Sequence, residues 1–170
     1  DKWSRLEAIQ YEPCLAVMAV LSGPSGINAT TSAGVHRGEG ALYWVTDSKI
    51  KGISEQPGLT IHASGKFSKE HLDNDRQITG QTMVDAAIEA GLMGQSTVKE
   101  WQIHGWRYSK PSVSDSSQCI LLSENTDLPP LVAAGDAFGG NSTDHQGAAL
   151  ESAVLSGLAA SGTLVTALSP

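Results

Sequence analysis

The feature that most constrains this chain is a glycine-rich turn close to its C-terminal end. Residues 131–140 read LVAAGDAFGG, and a helix-forming segment rich in Ala, Ser and Gly follows at residues 151–161. Glycine lets a backbone approach a ligand closely and turn through positive φ. The N-terminus of the following helix would offer unpaired N–H groups and a partial positive charge. The order of strand, turn and helix therefore favours a backbone that closes over a bulky planar cofactor.

The acidic residue of this turn is the candidate for direct recognition of a ligand. Asp136 lies between Gly135 and the pair Gly139 and Gly140, and its carboxylate could accept hydrogen bonds from ligand hydroxyl groups. The alternative is a strand–helix turn in which glycine serves backbone geometry alone. Composition does not choose between these two interpretations.

Three further blocks accompany the turn along the chain. They are YEPCLA at residues 11–16, FSKEHL at residues 67–72 and WRYSKP at residues 106–111. Together with GDAFGG and the helix segment ESAVLSGLAAS, these blocks resemble, in the same order, the renalase-like FAD oxidoreductases of the amine-oxidase type. The resemblance extends from about residue 6 to about residue 160.

The resemblance implies an FAD site and a substrate site. As FAD contacts it implies Gly135, Asp136, Gly139, Gly140, Glu151, Ser152 and Ala153. As candidate catalytic residues near the flavin ring it implies Trp106, Arg107 and Tyr108. In such enzymes the flavin accepts a hydride while the protein positions it and excludes water, so the implied activity is oxidation of an amine or nicotinamide-type small molecule. In the alternative interpretation, Arg107 forms a structural ion pair and the two aromatic side chains belong to the core.

Two segments could supply the helix start that faces the flavin. One is Gln146-Gly147-Ala148-Ala149, for which Asp144 is a suitable N-cap. The other is Leu150-Glu151-Ser152-Ala153, which agrees better with the downstream sequence. Both alternatives stay open at the level of sequence.

The main departure from the family is an absent motif. FAD oxidoreductases of this kind hold the pyrophosphate with a G-x-G-x-x-G turn between a strand and a helix, and the sequence contains no such motif. The sequence therefore predicts the C-terminal half of a flavoprotein, as a processed piece or one subunit of a split enzyme. Its partner would be an N-terminal FAD-binding half, and the chain alone would bind FAD weakly and be inactive. The alternative is a non-catalytic remnant that serves as an assembly or binding subunit.

Composition limits the classes of partner. A net charge of −7 with only 11 Lys and Arg residues argues against nucleic acid, which would need a basic surface. No apolar run is expected to approach the ~20 residues of a membrane span, so no membrane partner is predicted.

Cys14 and Cys119 are predicted to be reduced thiols of a cytoplasmic or stroma-like compartment, with any targeting segment outside this chain. The five histidines lack metal-ligand spacing, so no metal site is predicted.

Hydrophobic periodicity predicts an α+β protein. Strands are predicted at residues 8–21, 41–47, 59–64, 97–108, 119–122 and 131–134, and helices at residues 75–91 and 150–160. Gly91 is predicted to end the first helix, and Gly80 to weaken it by ~1 kcal/mol relative to Ala. Residues 1–125 are assigned to a substrate domain with a mixed or antiparallel sheet covered by a helix. Residues 126–170 are assigned to the last strand and helix of an FAD-binding domain.

The strand before the WRYSKP block contains a change of phase. Trp101 and Ile103 share one face, whereas Trp106 and Tyr108 have the opposite phase. A β-bulge at Gly105 would return the last two rings to the first face. The sequence thus predicts Trp106 in the core and Tyr108 at the edge of a substrate cavity.

Overall fold

A computed structural model of the protein describes residues 1–30, 32–123, 129–139 and 148–169. Its elements, in chain order, are α1 (Lys2–Glu7), β1 (Gln10–Leu21), β2 (Gly34–His36), β3 (Trp44–Asp47), β4 (Gly58–His62), α2 (Gly65–His71), α3 (Arg76–Glu89), β5 (Val98–Val113), β6 (Ile120–Leu121), β7 (Val132–Ala133) and α4 (Ala148–Leu168). The predicted α+β class is confirmed, and each predicted strand and helix is present with shifted ends. The sequence analysis missed α1, β2 and α2.

The chain divides into two compact units. One unit, here called the sheet unit, comprises Glu12–Ser109, and the other, the terminal unit, combines Asp1–Tyr11 with Lys110–Pro170. These bounds differ from the domain boundary predicted at residue 125. The roles assigned from sequence to residues 1–125 and 126–170 stay predictions.

The sheet unit is built on five strands in the order β2-β3-β4-β1-β5. β3, β4 and β1 are antiparallel, with Ile61 opposite Val45 on one side and Val17 on the other. These three side chains are fully buried and lie in the core with those of α3. On the opposite face of β1, Met18 is 43% exposed.

Two glycines allow α3 to pack closely on β5. A Cβ atom at Gly80 on α3 would lie 2.2 Å from Cζ3 of Trp101 on β5. One helical turn earlier, Arg76 approaches the strand, and a Cβ atom at Gly105 would lie 2.7 Å from its Nη2. The missing side chain of each glycine therefore makes room for the large side chain opposite. Gly80 is a packing residue of the core as well as a weak helix former.

The long strand β5 keeps its alternation through Gly105. Trp101 and Gly105 both face α3, whereas the rings of His104 and Trp106 contact each other on the other face, with centroids 4.5 Å apart. Trp106 is 56% exposed. The predicted bulge at Gly105 and the predicted burial of Trp106 are therefore wrong. Trp106 differs in phase from Trp101 because it lies on the opposite face of β5, where its ring pairs with that of His104.

Both ends of α3 are capped, and the C-terminal cap agrees with the sequence prediction. The Asp75 carboxylate accepts hydrogen bonds from the first free N–H groups of the helix, which is the usual role of an N-cap. At the other end, Gly91 has a φ of 73°, and the next residue, Leu92, donates its N–H to the carbonyl oxygen of Ala87 at 3.0 Å. This pattern is a Schellman motif, so the prediction that Gly91 ends the helix is confirmed.

In the terminal unit, α4 packs on a two-stranded sheet. β6 and β7 are antiparallel, with Leu121 opposite Val132.

An ion pair holds α1 to the segment that follows β5. Arg5 Nη2 lies 2.6 Å from Asp115 Oδ1, and Arg5 Nε lies 2.9 Å from Asp115 Oδ2. The Ser117 hydroxyl also donates to Asp115. This bidentate geometry is the stronger form of an arginine–carboxylate contact.

The Arg5–Asp115 pair should make the stability of the protein depend on acidity. The hydrogen bonds from Arg5, reinforced by Ser117, hold the pKa of Asp115 well below its usual range. A carboxyl group with a lowered folded pKa stabilises the protein above its unfolded pKa of about 3.9. This contribution is lost as the pH falls from there through the lower folded pKa. We expect Asp115→Asn to lower the melting temperature at neutral pH and to flatten its decline in acid.

Melting curves of the wild type, Asp115→Asn and Glu89→Gln from neutral pH into acid would test this expectation. Glu89 is an exposed acidic residue at the end of α3, and its variant should keep the wild-type acid dependence. An equal slope for wild type and Asp115→Asn would mean that the ion pair contributes nothing measurable.

Candidate functional site

The Gly-Asp turn follows β7 and is fixed to α4. Within the turn, Phe138 donates its N–H to the carbonyl oxygen of Gly135 at 3.3 Å. The N–H of Gly135 in turn donates to the hydroxyl of Ser156 on α4 at 2.9 Å. Ser156 is fully buried, so this hydrogen bond forms in a site shielded from water. The start of the turn is therefore held against the middle of the helix.

The second glycine position of the turn has a specific structural requirement. Gly139 adopts a φ of 79°, which favours glycine, and donates its N–H to the carbonyl oxygen of Ser117 at 2.8 Å. A Cβ atom there would lie 2.8 Å from Nε2 of Gln118. Gly140, predicted as its partner in cofactor binding, lies outside the described residues, as does Asp144.

The acidic residue of the turn contacts a tyrosine from the far end of the chain. The Tyr11 hydroxyl donates to Asp136 Oδ1 at 2.8 Å, across 125 positions of sequence. Burial, followed by this hydrogen bond, raises the pKa of Tyr11 to about 12. The phenol therefore stays protonated at any physiological pH and remains a donor. Sequence reasoning missed this pair, because nothing local to either residue indicates the other.

The Asp136 carboxylate retains capacity for a further partner. An ionised carboxylate has about four lone-pair sites on two oxygens, and the Tyr11 hydroxyl uses one of them. A Cβ atom at Gly135, beside it, would meet no atom of the described residues within 4 Å. The described part of the turn therefore combines a hydrogen-bond acceptor with open space next to it.

The other predicted cofactor contacts lie near the start of α4. Glu151 is exposed, whereas Ser152 and Ala153 are half-buried. All three are within α4, which the structure describes from Ala148 onward. The preceding residues 140–147 lie outside the described part of the chain, so both alternatives for the helix start remain open. The hydroxyl that joins α4 to the turn belongs to Ser156, one turn beyond Ser152.

The three candidate catalytic residues lie in the sheet unit, on β5. Trp106 and Tyr108 are 56% and 75% exposed. Arg107 Nη2 lies 2.8 Å from Asp73 Oδ1, and both side chains are largely exposed. The structural ion pair considered for Arg107 is therefore present, although exposed pairs contribute little to stability. Nothing in this arrangement tests a catalytic role.

Each unit also contains an open cavity. In the sheet unit, a groove of about 310 Å³ lies over the face that bears Met18, Thr60, Glu100 and Gln102. In the terminal unit, a shallow groove of about 490 Å³ lies along α4 and is lined by small residues such as Ala159 and Gly162, with Leu121 of β6. None of the predicted site residues that the structure describes lines either groove.

The cysteines and the potential metal ligands of the described residues do not form a second candidate site. Cys14 and Cys119 are free thiols, and burial raises the pKa of the Cys14 thiol. Among residues 1–30, 32–123, 129–139 and 148–169, no group of three or more His, Cys, Asp or Glu side chains is arranged to hold a metal ion.

α4 is longer and more apolar than predicted. Residues Leu150–Leu168 form a 19-residue stretch with mean hydropathy 1.3, of which 11% is buried. By length and composition this stretch could cross a membrane, so the expectation that no segment approaches that length is wrong. Length and composition are weak criteria, since core helices meet them as well. Most of this apolar helix is exposed.

Comparison with known proteins does not assign the chain to a family. No model of a known protein family matches the sequence, and no curated protein matches it.

Proposed function

We propose that this chain is the C-terminal portion of an FAD-dependent oxidoreductase of the renalase-like, amine-oxidase type. The observation that best supports the proposal is the hydrogen bond between Tyr11 and Asp136. These residues belong to two of the sequence blocks that resemble the family, YEPCLA and GDAFGG. Within the terminal unit, the contact brings the first residue of one block to the acidic residue of the other, at the turn that would meet the cofactor.

The turn and α4 fit one end of the cofactor. Asp136 would accept a hydrogen bond from a hydroxyl of the cofactor, and the glycine backbone would approach the ring system closely. The chain has no G-x-G-x-x-G turn for the pyrophosphate, so that contact must come from another half or subunit. When bound, FAD would supply the hydride acceptor for the oxidation of an amine or nicotinamide-type substrate. This chain would orient the cofactor and exclude water from one side of it.

The exposed apolar surface of the terminal unit supports the need for a second half. Six large apolar side chains of α4 are 47–78% exposed, whereas a helix that is apolar on most sides is normally buried. In the described part of the chain, β6 and β7 pair only with each other, and a sheet of two strands is marginal alone and leaves its edges without a partner strand. An N-terminal FAD-binding half with further strands would cover both features. The partner that we propose is therefore protein, with neither nucleic acid nor membrane required.

A second candidate function is favoured by the same helix. A non-catalytic assembly or binding subunit would also need an exposed apolar face, and it would not need a cofactor. The Gly-Asp turn distinguishes the two candidates, because only the oxidoreductase uses Asp136 as a ligand contact.

Paired variants at Asp136 and Tyr11 separate a ligand contact from a structural one. In the protein with its FAD-binding half, Asp136→Ala should lower FAD affinity about tenfold to a hundredfold, the effect of losing one charge-assisted hydrogen bond. Tyr11→Phe removes the same internal hydrogen bond but keeps the carboxylate, so FAD affinity should change by only a few-fold. Dissociation constants from flavin fluorescence titration would measure both. Equal affinity in the two variants would mean that Asp136 serves only to hold Tyr11.

A further inference from the structure

The side of α4 that points away from β6 and β7 carries six large apolar residues spread along its length. We call this side the α4 outer face, and its large members are Leu150, Val154, Leu155, Leu158, Val165 and Leu168, which are 47–78% exposed. Their successive spacings of four, one, three, seven and three residues place them on one side of the helix. Single exposed apolar residues are ordinary, whereas six on one side of a helix mark an interaction surface.

The opposite side of α4 argues against a lipid environment for this helix. There Ser156 accepts a hydrogen bond from the turn at Gly135, and Thr163 Oγ1 lies 3.4 Å from Cys119 Sγ. A helix that crossed a bilayer in this state would bring the turn and its Asp136 carboxylate into hydrocarbon, which is strongly unfavourable. Binding flat on an anionic membrane would need Lys or Arg beside the apolar face. α4 has neither, and the chain carries a net charge of −7.

The pattern along the α4 outer face is complementary to itself. In an antiparallel pair of α4 helices centred near residues 159–160, Val154 lies opposite Val165, and Leu150 lies close to Leu168. Glu151 is the only charged residue of the helix. Antiparallel pairing places the two Glu151 carboxylates at opposite ends, whereas parallel pairing would bring them together and cause repulsion. The opposed helix dipoles also favour the antiparallel arrangement.

The extent of the surface is sufficient for a specific contact. A patch of six large apolar side chains covers on the order of 500 Å², at the upper end of what monomeric proteins expose. Two such patches would bury about 1,000 Å² in total, which is where specific interfaces begin. Charged residues are depleted at the centre of such interfaces, as they are on this face.

From these observations we infer that the 170-residue chain forms a homodimer in which two α4 outer faces pack against each other in antiparallel orientation. This dimer would form from the chain by itself and would not require a bound flavin. An N-terminal half that covered the same face would exclude the second copy. The dimer is thus the state of the chain without such a partner.

Sedimentation measurements on matched variants test the dimer. The wild type should sediment at twice the chain mass of 17.8 kDa. Leu158→Asp, at the centre of the outer face, should raise the dimer dissociation constant at least about tenfold, because a buried charge without a partner weakens an interface. Ile78→Asp is the control, since Ile78 is similarly exposed, at 71%, but lies on α3. It should leave the dimer unchanged, and circular dichroism should show both variants folded.

Several results would overturn the inference. These are a monomeric wild type, a dimer that Leu158→Asp leaves intact, or open-ended aggregates that lack a defined mass. A further contrary result is co-sedimentation of the wild type with lipid vesicles that Leu158→Asp abolishes, which would assign the face to a membrane. Loss of flavin binding in any variant would not bear on the dimer, so failure of the proposed function can be recognised separately.

Discussion

Replacing Gly80 by Ala should destabilise the protein by about 1–3 kcal/mol, the usual effect of overpacking a core. Helix propensity alone predicts the opposite, a gain of about 1 kcal/mol for Gly→Ala in a helix interior. Packing should prevail because the new methyl group would lie 2.2 Å from the Trp101 ring. The indole is rigid and packs against the core, so it cannot move away without opening the contact between α3 and β5.

Urea unfolding curves of matched variants would measure this effect. Gly157→Ala is the control, because Gly157 also lies inside a helix but its added Cβ would meet no atom of the described residues within 4 Å; it should be neutral or stabilising by up to about 1 kcal/mol. In a Trp101→Leu background, the further loss caused by Gly80→Ala should be smaller than in the wild type, because the smaller side chain leaves room for the new methyl group. Stabilisation by Gly80→Ala alone would show that α3 does not pack on Trp101 as described.

Replacing Asp47 by Ala should cost about 2–4 kcal/mol, because it leaves three part-buried hydrogen-bond donors without their acceptor. Asp47 is 2% exposed. Its Oδ1 accepts the N–H groups of Lys49 and Ile50, each at 2.8 Å, and its Oδ2 accepts the Ser25 hydroxyl. One carboxylate thus holds the loop after β3 and the turn after β1 together. Asp47→Asn should cost less, since the amide oxygen still accepts from the backbone.

The corresponding control is Asp85→Ala. Asp85 is exposed and accepts one hydrogen bond, from the side chain of Gln81, so its variant should change stability by no more than about 0.5 kcal/mol. Thermal and urea unfolding of the three variants would establish the order. If Asp47→Ala were as stable as Asp85→Ala, the buried network would contribute nothing to stability.

Elements with strong local signals were predicted well from the sequence. α3 was predicted from its apolar residues and from Gly91 as its end, and the structure confirms the helix and this end. α1 and α2 were missed because they have six and seven residues, too few to be stable alone. Their positions depend on distant partners: Arg5 of α1 binds Asp115, and Ser68 of α2 accepts the N–H of Leu15.

Errors arose where burial was inferred from residue type. Trp106 was placed in the core because tryptophan is usually buried, and a bulge was required to bring it there. The structure leaves the strand regular and the indole 56% exposed. Similarly, α4 was predicted too short, since its Ser, Thr and Gly residues conceal an apolar helix that continues to Leu168.

The Gly-Asp turn of the candidate site could be predicted from the sequence, whereas the hydrogen bonds that other residues make to the turn could not. The glycines and Asp136 could be found from the sequence, because a strand, a turn and a helix follow each other directly. Tyr11 and Ser156 could not, since their hydrogen bonds to the turn join residues 125 and 21 positions apart. Such pairs result from the tertiary fold, which no local pattern encodes.

The most direct test of the proposed function is the flavin content of the protein isolated from its source under mild conditions. We expect a visible absorption spectrum of bound flavin, about one FAD per chain, and a G-x-G-x-x-G segment in the same particle, either on the same polypeptide or on a partner. The separate 170-residue chain should bind FAD weakly. A colourless particle without such a segment would contradict the oxidoreductase proposal and favour the assembly subunit.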